Sequence, residues 1–234
     1  DANNVVTTIT GFNKFRTDPK GITGNLTVTG ISNDQLLEFA DVAIKNNMAE
    51  ATDGVTNFSF TFACVDKIVE IVPNRTFNTQ EALNELSGCT KIEGDLIIQN
   101  FTTPIDFSVF NCLKEITGRI EFVGNATLTA ISGFAKLTKI GASISPYFAE
   151  FFGITRPISI IILFNSELKT IAGFGVLETV DGDFWNFDNA KLKTIDGFGV
   201  LKTVGGNFII SRNAILESIN GFGVLETVGG GFAI

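Results

Sequence analysis

The chain has 234 residues, 44% hydrophobic and 18% charged, enough apolar content for a packed core and too much for wholesale disorder. Its net charge is −8 and no Lys/Arg cluster interrupts it, so a phosphate backbone would be repelled and no nucleic-acid partner is expected. It has no histidine, which removes His-based nucleophile activation, general-base chemistry and metal ligation together, and 23 Phe against one Tyr and one Trp favour a dry interior over a polar pocket.

In chain order, residues 1–30 read as part of a solenoid coil, an expectation that rests on the repeats further along. Residues 31–88 break that rhythm and are expected to form a small α/β insert with a capping helix. Within it, "SNDQLLEFADVAIKNNM" predicts a helix capped by Ser32 or Asn33, with an apolar stripe of Leu36, Leu37, Ala40, Ala43 and Ile44. "TNFSFTFACV" alternates strictly, placing Phe58, Phe60 and Phe62 on one face of a strand. "FNTQEALNELSGC" predicts a second short helix, with Asn78 and Glu81 resembling a capping box and Phe77 stapled onto Ala82.

Residues 89–234 carry the repeat. Three copies, beginning at Leu168, Leu192 and Leu216, are 24 residues apart and keep every landmark in step. Ile171, Ile195 and Ile219 align, then Phe174, Phe198 and Phe222, then Leu177, Leu201 and Leu225, then Val180, Val204 and Val228. The same frame reaches back through Cys89, Leu113 and Leu137, and a fixed period in this range marks a solenoid. One coil carries extra residues in "PYFAEFFGITRP", expected to be a loop bulging from the stack. "ISIIILF", Ile158 to Phe164, reads as a buried strand, far too short to span a bilayer. Stacked coils would pile Phe134, Phe174, Phe198 and Phe222 into an internal column and bring Asn125, Asn165, Asn189 and Asn213 into one corner.

The frame also continues from the last residue to the first. If Asp1 follows Ile234, Asn3 takes the place of Asn213, Val6 that of Leu216, Ile9 that of Ile219, Gly11 that of Gly221, Phe12 that of Phe222 and Phe15 that of Leu225. After a short insertion Ile22 stands for Val228 and Leu26 for Phe232. The expectation is that copies join head to tail, covalently or not, through a junction formed by Asp1, Asn3, Val6, Ile9, Phe12, Leu225, Val228, Phe232 and Ile234.

"LSGCTKIEGDLIIQN", "CLKEITGRIEF", "LTAISGFAKLTKIG" and "IIILFNSELKTI", in that order, resemble the receptor L domain family of the insulin and epidermal growth factor receptors and of fungal cell-wall surface proteins. The resemblance covers roughly Cys64 to Asn213. It implies a mainly β fold: a right-handed parallel β-helix of leucine-rich-like, 24-residue coils with a helix capping one end. It further implies a disulfide between Cys64 and Cys89 across that helix, leaving Cys112 as a buried thiol or as a partner between chains. A disulfide-bonded domain of this kind belongs in an oxidising, extracellular setting, secreted or cell-surface. Five N-x-S/T sequons suit such a setting: Asn25, Asn57, Asn74, Asn100 and Asn125. N-linked glycans are therefore expected, with no other cofactor and no metal.

The favoured function is a structural repeat unit of an extracellular glycoprotein fibre or surface appendage. The alternative is a ligand-binding L-domain ectodomain of a receptor or adhesion protein, which predicts an exposed aromatic patch; Trp185 and Tyr147 are the candidates, with Trp185 reading as ordinary packing because it aligns with Ile209. No enzymatic activity is expected. Asp181, Asp183 and Asp188 cluster near one coil, but Asp181 and Asp183 align with Gly205 and Asn207 and read as corner substitutions.

Overall fold

The computed structural model describes Cys64 and residues 67–234. The chain divides into two compact units, Asp1–Val65 and Asp66–Ile234. The readings made above for residues 1–63, including the longer helix and the Phe58–Phe62 strand, lie outside the described residues.

The second unit is mainly β, with all of its strand ladders parallel. One sheet stacks β1 (Ile68–Glu70), β3 (Lys91–Glu93), β5 (Glu115–Ile116), β8 (Lys139–Ile140), β11 (Thr179–Val180), β14 (Thr203–Val204) and β16 (Thr227–Val228), in that order. A second stacks β2 (Thr76–Phe77), β4 (Leu96–Gln99), β6 (Ile120–Val123), β9 (Ile158–Leu163), β12 (Asp183–Phe187), β15 (Phe208–Ser211) and β17 (Phe232–Ala233). A third, short sheet holds β7 (Ala130–Ile131), β10 (Thr170–Ile171) and β13 (Thr194–Ile195). Each strand pairs with its equivalent one repeat away, Thr179 with Thr203 and Thr203 with Thr227, so the sequence period is the hydrogen-bond register.

Two-residue strands suffice because each turn of chain needs to place only one apolar side chain inward before bending. In β11, β13 and β14 the threonine is half-exposed and the following Val or Ile is buried, the alternation that a pleat imposes. A complete coil therefore contributes Leu192, Ile195, Phe198, Leu201 and Val204 to the interior, each 0% exposed. The predicted phenylalanine column is present. Phe134, Phe174, Phe198 and Phe222 stack with centroids 5.0 Å apart and rings within 11° of parallel. A second column, Phe184, Phe208 and Phe232, stands beside it and meets it edge-on, Phe208 against Phe222 at 4.8 Å.

The asparagine corner is a continuous amide ladder. The Phe101 N–H donates to Asn125 Oδ1, the Asn125 N–H to Asn165 Oδ1, the Asn165 N–H to Asn189 Oδ1 and the Asn189 N–H to Asn213 Oδ1, at 3.0–3.1 Å. Each side-chain Nδ2 reaches back to a strand carbonyl one coil away: Asn125 to Ile98, Asn165 to Phe122 and Asn189 to Ile162. One buried side chain thus satisfies a donor that the turn would otherwise orphan and ties it to a strand carbonyl of the neighbouring coil. The residue before each rung sits at positive φ, from Asn100 (57°) through Phe164 (57°) and Asp188 (53°) to Arg212 (57°). That kink turns the chain off the long strand and aims the next side chain inward.

Two local expectations are corrected. The first helix, α1 (Gln80–Asn84), is capped by Thr79, whose Oγ1 accepts from the Ala82 N–H, one residue later than the Asn78 box. "PYFAEFF" is a helix, α2 (Pro146–Phe152), rather than a loop: Pro146 occupies its first turn and Gly153, at φ 64°, closes it. β9 is buried at all six positions, as expected for "ISIIIL".

Candidate functional site

α2 is inserted between β8 and β9 and lies over the outward face of the long-stranded sheet. The outward row of that sheet runs Ile97, Glu121, Ile161, Trp185 and Ile209 through successive registers. Phe148 packs on this row, with its ring edge-on to Trp185 at 5.2 Å, in a small apolar cluster with Ile158, Ile161 and Leu163. Trp185 is 4% exposed and is packing, as read from its alignment with Ile209.

Ion pairs fix the chain on both sides of the helix. Before it, the buried Arg119 donates from Nε to Glu121 and from a terminal nitrogen to Asp95, to Ser143 Oγ (2.7 Å) and to the Ile144 carbonyl (3.3 Å). After it, Arg156 donates to the buried Asp183 and lies 5.5 Å over the Trp185 ring. Burial pushes the Glu121 carboxyl above its usual range, an effect partly offset by Arg119.

Held this way, α2 turns its other side chains outward. Tyr147, Phe151 and Phe152 are 57%, 64% and 61% exposed and touch one another, Tyr147 to Phe151 at 5.0 Å. Ile144, just ahead of the helix, is exposed as well. Of the two aromatics singled out in the sequence, Tyr147 is in this ridge and Trp185 is beneath it; Phe151 and Phe152 were legible only as loop residues.

The remaining candidates separate. The three aspartates do not converge: Asp181 pairs with Lys139 (3.7 Å), Asp188 with Arg212 (2.8 Å), and the buried Asp183 with Arg156. Asp183 is more than a corner substitution, since its Oδ1 accepts from the Asn207 N–H (2.6 Å) and Asn207 Oδ1 accepts in turn from the Gly231 N–H (2.6 Å). Among the described residues no group of three His, Cys, Asp or Glu is placed to hold a metal ion.

The implied Cys64–Cys89 bridge is corrected. Cys89 is a buried free thiol, whereas Cys64 and Cys112 are each disulfide-bonded. Cys89 opens a coil at an inward position equivalent to Leu113 and Leu137, where its sulfur packs as an apolar side chain; burial raises the thiol pKa to about 11. Asn125 is also corrected as a glycan site: it is 0% exposed and is a rung of the amide ladder, so its Nδ2 has no room for a sugar. Asn74 and Asn100 are exposed, both at positive φ in turns. Asn25 and Asn57 lie outside the described residues.

Of the junction residues, Asp1, Asn3, Val6, Ile9 and Phe12 lie outside the described residues. Leu225 and Val228 are half-buried, and Phe232 and Ile234 are 59% and 62% exposed. Among the described residues no helix is long and apolar enough to cross a membrane.

Comparison with known proteins returns the family model Receptor L domain over residues 88–197. No curated protein matches the chain. The match suggests a ligand-binding, receptor-type domain, and together with the disulfide-bonded cysteines it suggests an extracellular setting. Residues 88–197 are thus similar to the receptor L domain family, the resemblance already carried by their order of motifs.

Proposed function

We propose that the chain is an extracellular, non-enzymatic recognition domain that meets its ligand through the aromatic ridge of α2. The observation that carries this reading is the pairing of outward and anchored features in one short helix. Three large aromatics are more than half exposed, while Phe148, Arg119 and Arg156 hold the helix rigidly from below. Exposed aromatics on a preorganised support supply contact area at low entropic cost, which is how binding hot spots are built. N-linked glycans at Asn74 and Asn100 complete the proposal.

The test is a binding screen of the intact chain against arrays of secreted proteins and glycans, repeated with the Phe151→Ser/Phe152→Ser variant. A partner bound by the parent is expected to be retained at least about tenfold less by the variant, whose urea midpoint stays unchanged. Equal binding by the two proteins contradicts the reading, as does the absence of any binder at micromolar concentration.

A second reading, that the units 1–30, 31–88 and 89–234 form one repeat of an extracellular fibre, is favoured by a separate observation. The apolar residues Val6, Ile9, Phe12 and Phe15 keep the spacing of Leu216, Ile219, Phe222 and Leu225, as tandem copies would. Negative-stain imaging of the secreted protein would show filaments with a one-unit axial repeat; dispersed particles at high concentration would count against it.

A further inference from the structure

We propose that Phe164 is a stacking platform for the first sugar of an N-linked glycan on Asn100, two coils away along the same corner. The proposal rests on the reading of Asn100 as a glycan site and gives that sugar a binding place within the chain. It does not depend on α2.

The corner where the long strands end is a column of equivalent residues. Gln99 pairs with Val123, Val123 with Leu163, Leu163 with Phe187 and Phe187 with Ser211, so the residues that follow them, Asn100, Gly124, Phe164, Asp188 and Arg212, are in register. All five have φ between 53° and 65°. Asparagine, aspartate and glycine enter this left-handed region readily, whereas a bulky aromatic enters it under backbone strain. Phe164 sits there and is 56% exposed, so its ring gains little from the core in return for the strain. A strained, exposed aromatic points to a contact that the bare chain does not make.

Three observations select the glycan as that contact. First, Asn100, Phe101 and Thr102 form a sequon whose Asn100 and Thr102 are both exposed. The corner turns the rung residue inward and leaves the residue before it outside, which is why Asn100 is open while Asn125 is closed. Second, the residue between Asn100 and Phe164 in the column is Gly124, which places no side chain between them. A Cβ there would come 3.0 Å from Asn100 Oδ1, so the Asn100 amide already extends along the column toward Phe164. On the other side of Phe164, Asp188 is engaged by Arg212 at 2.8 Å, leaving the Gly124 side uncrowded. Third, two coil steps amount to about 10 Å, a span that an asparagine side chain and one pyranose ring cover. An N-acetylglucosamine ring has a face of C–H groups, and such a face packs on the negative π face of a phenylalanine with apolar area buried on both. An external ligand at Phe164 would give no reason for a sequon and a glycine to share its column.

The test is a double-mutant cycle on the full chain secreted from a glycosylating host. Thr102→Ala removes the sequon and leaves Asn100 in place; Phe164→Gly removes the ring and installs the residue that Gly124 already supplies at this corner. In urea unfolding, Phe164→Gly is expected to lower the folding equilibrium constant at least about threefold more in the glycosylated protein than in the Thr102→Ala background, the coupling of one aromatic contact. A peptide N-glycosidase should release the Asn100 glycan more slowly from the native parent than from native Phe164→Gly, and at the same rate from both in denaturant. Equal effects of Phe164→Gly in the two backgrounds, or equal native release rates, would overturn the stacking while leaving Asn100 a glycan site. An unoccupied Asn100 in the parent protein would overturn the glycan reading and the stacking with it.

Discussion

Asn165 is the rung on which the amide ladder can be tested most sharply. It is 0% exposed, accepts from the Asn125 N–H and Nδ2 at 3.0 Å, and donates to the Phe122 carbonyl at 2.9 Å. Asn165→Leu keeps the branching of the side chain, adds bulk and removes these bonds. The Leu163 carbonyl keeps the Gly124 N–H and the Phe122 carbonyl stays within the β6–β9 ladder, so one buried backbone group loses its side-chain partner, the Asn125 N–H. That loss costs about 1–3 kcal/mol, fitting the bulkier leucine into the closed corner costs about 1–3 kcal/mol more, and the added apolar burial returns about 1 kcal/mol, so the net loss is about 3 kcal/mol. The paired control is Asn213→Leu. Asn213 accepts from the Asn189 N–H in the same way, but in a half-exposed coil that water can reach, so the same change should cost about 1 kcal/mol there. Urea unfolding with linear extrapolation measures both. Equal losses at the two sites, or a loss below about 1 kcal/mol at Asn165, would show that the ladder does not hold the corner.

Three further expectations follow from corrected or buried groups. Glu121 is held above the usual carboxylate range chiefly by burial, so the folded state binds its proton more readily than the unfolded one. Stability from this group therefore rises as pH falls from neutral through the raised value toward the ordinary carboxylate range; Glu121→Gln should lack that rise in urea melts at pH 7 and pH 5. The Cys89 thiol, buried and raised to about 11, should resist a thiol reagent at pH 8 in the native protein and react in denaturant, and peptide mapping should find Cys64 and Cys112 oxidised with Cys89 reduced. After secretion from a glycosylating host, glycoproteomics should find sugar at Asn74 and Asn100 and none at Asn125, where occupancy would contradict the buried amide.

Most of the architecture was legible because the stack converts one sequence period into one register. Leu192, Ile195, Phe198, Leu201 and Val204 could be named as core from spacing alone, since every coil must fill the same interior positions. Asn125 shows where two legible signals conflict: the sequon and the ladder claim the same side chain, and the ladder wins because its burial leaves no space. The aromatic helix was obscured by its composition. "PYFAEFF" is too short for a helical period to show, and only Pro146 and Gly153 mark its start and stop. The disulfide was misplaced because its pairing rested on the family resemblance, whereas the position equivalent to Leu113 and Leu137 already said that Cys89 faces the core. Asp183 was read from its alignment with Asn207 as a tolerated change; both residues in fact bond the next coil's N–H, so the alignment marked a shared role.

Backbone amide hydrogen exchange measures the stacked-coil account most directly, because each rung of the ladder is an individual N–H. The amides of Phe101, Asn125, Asn165 and Asn189 should exchange only through global opening, while those of Leu225 to Ile234 exchange orders of magnitude faster. Rapid exchange at Asn125 and Asn165, at rates like those of the outermost coil, would contradict it.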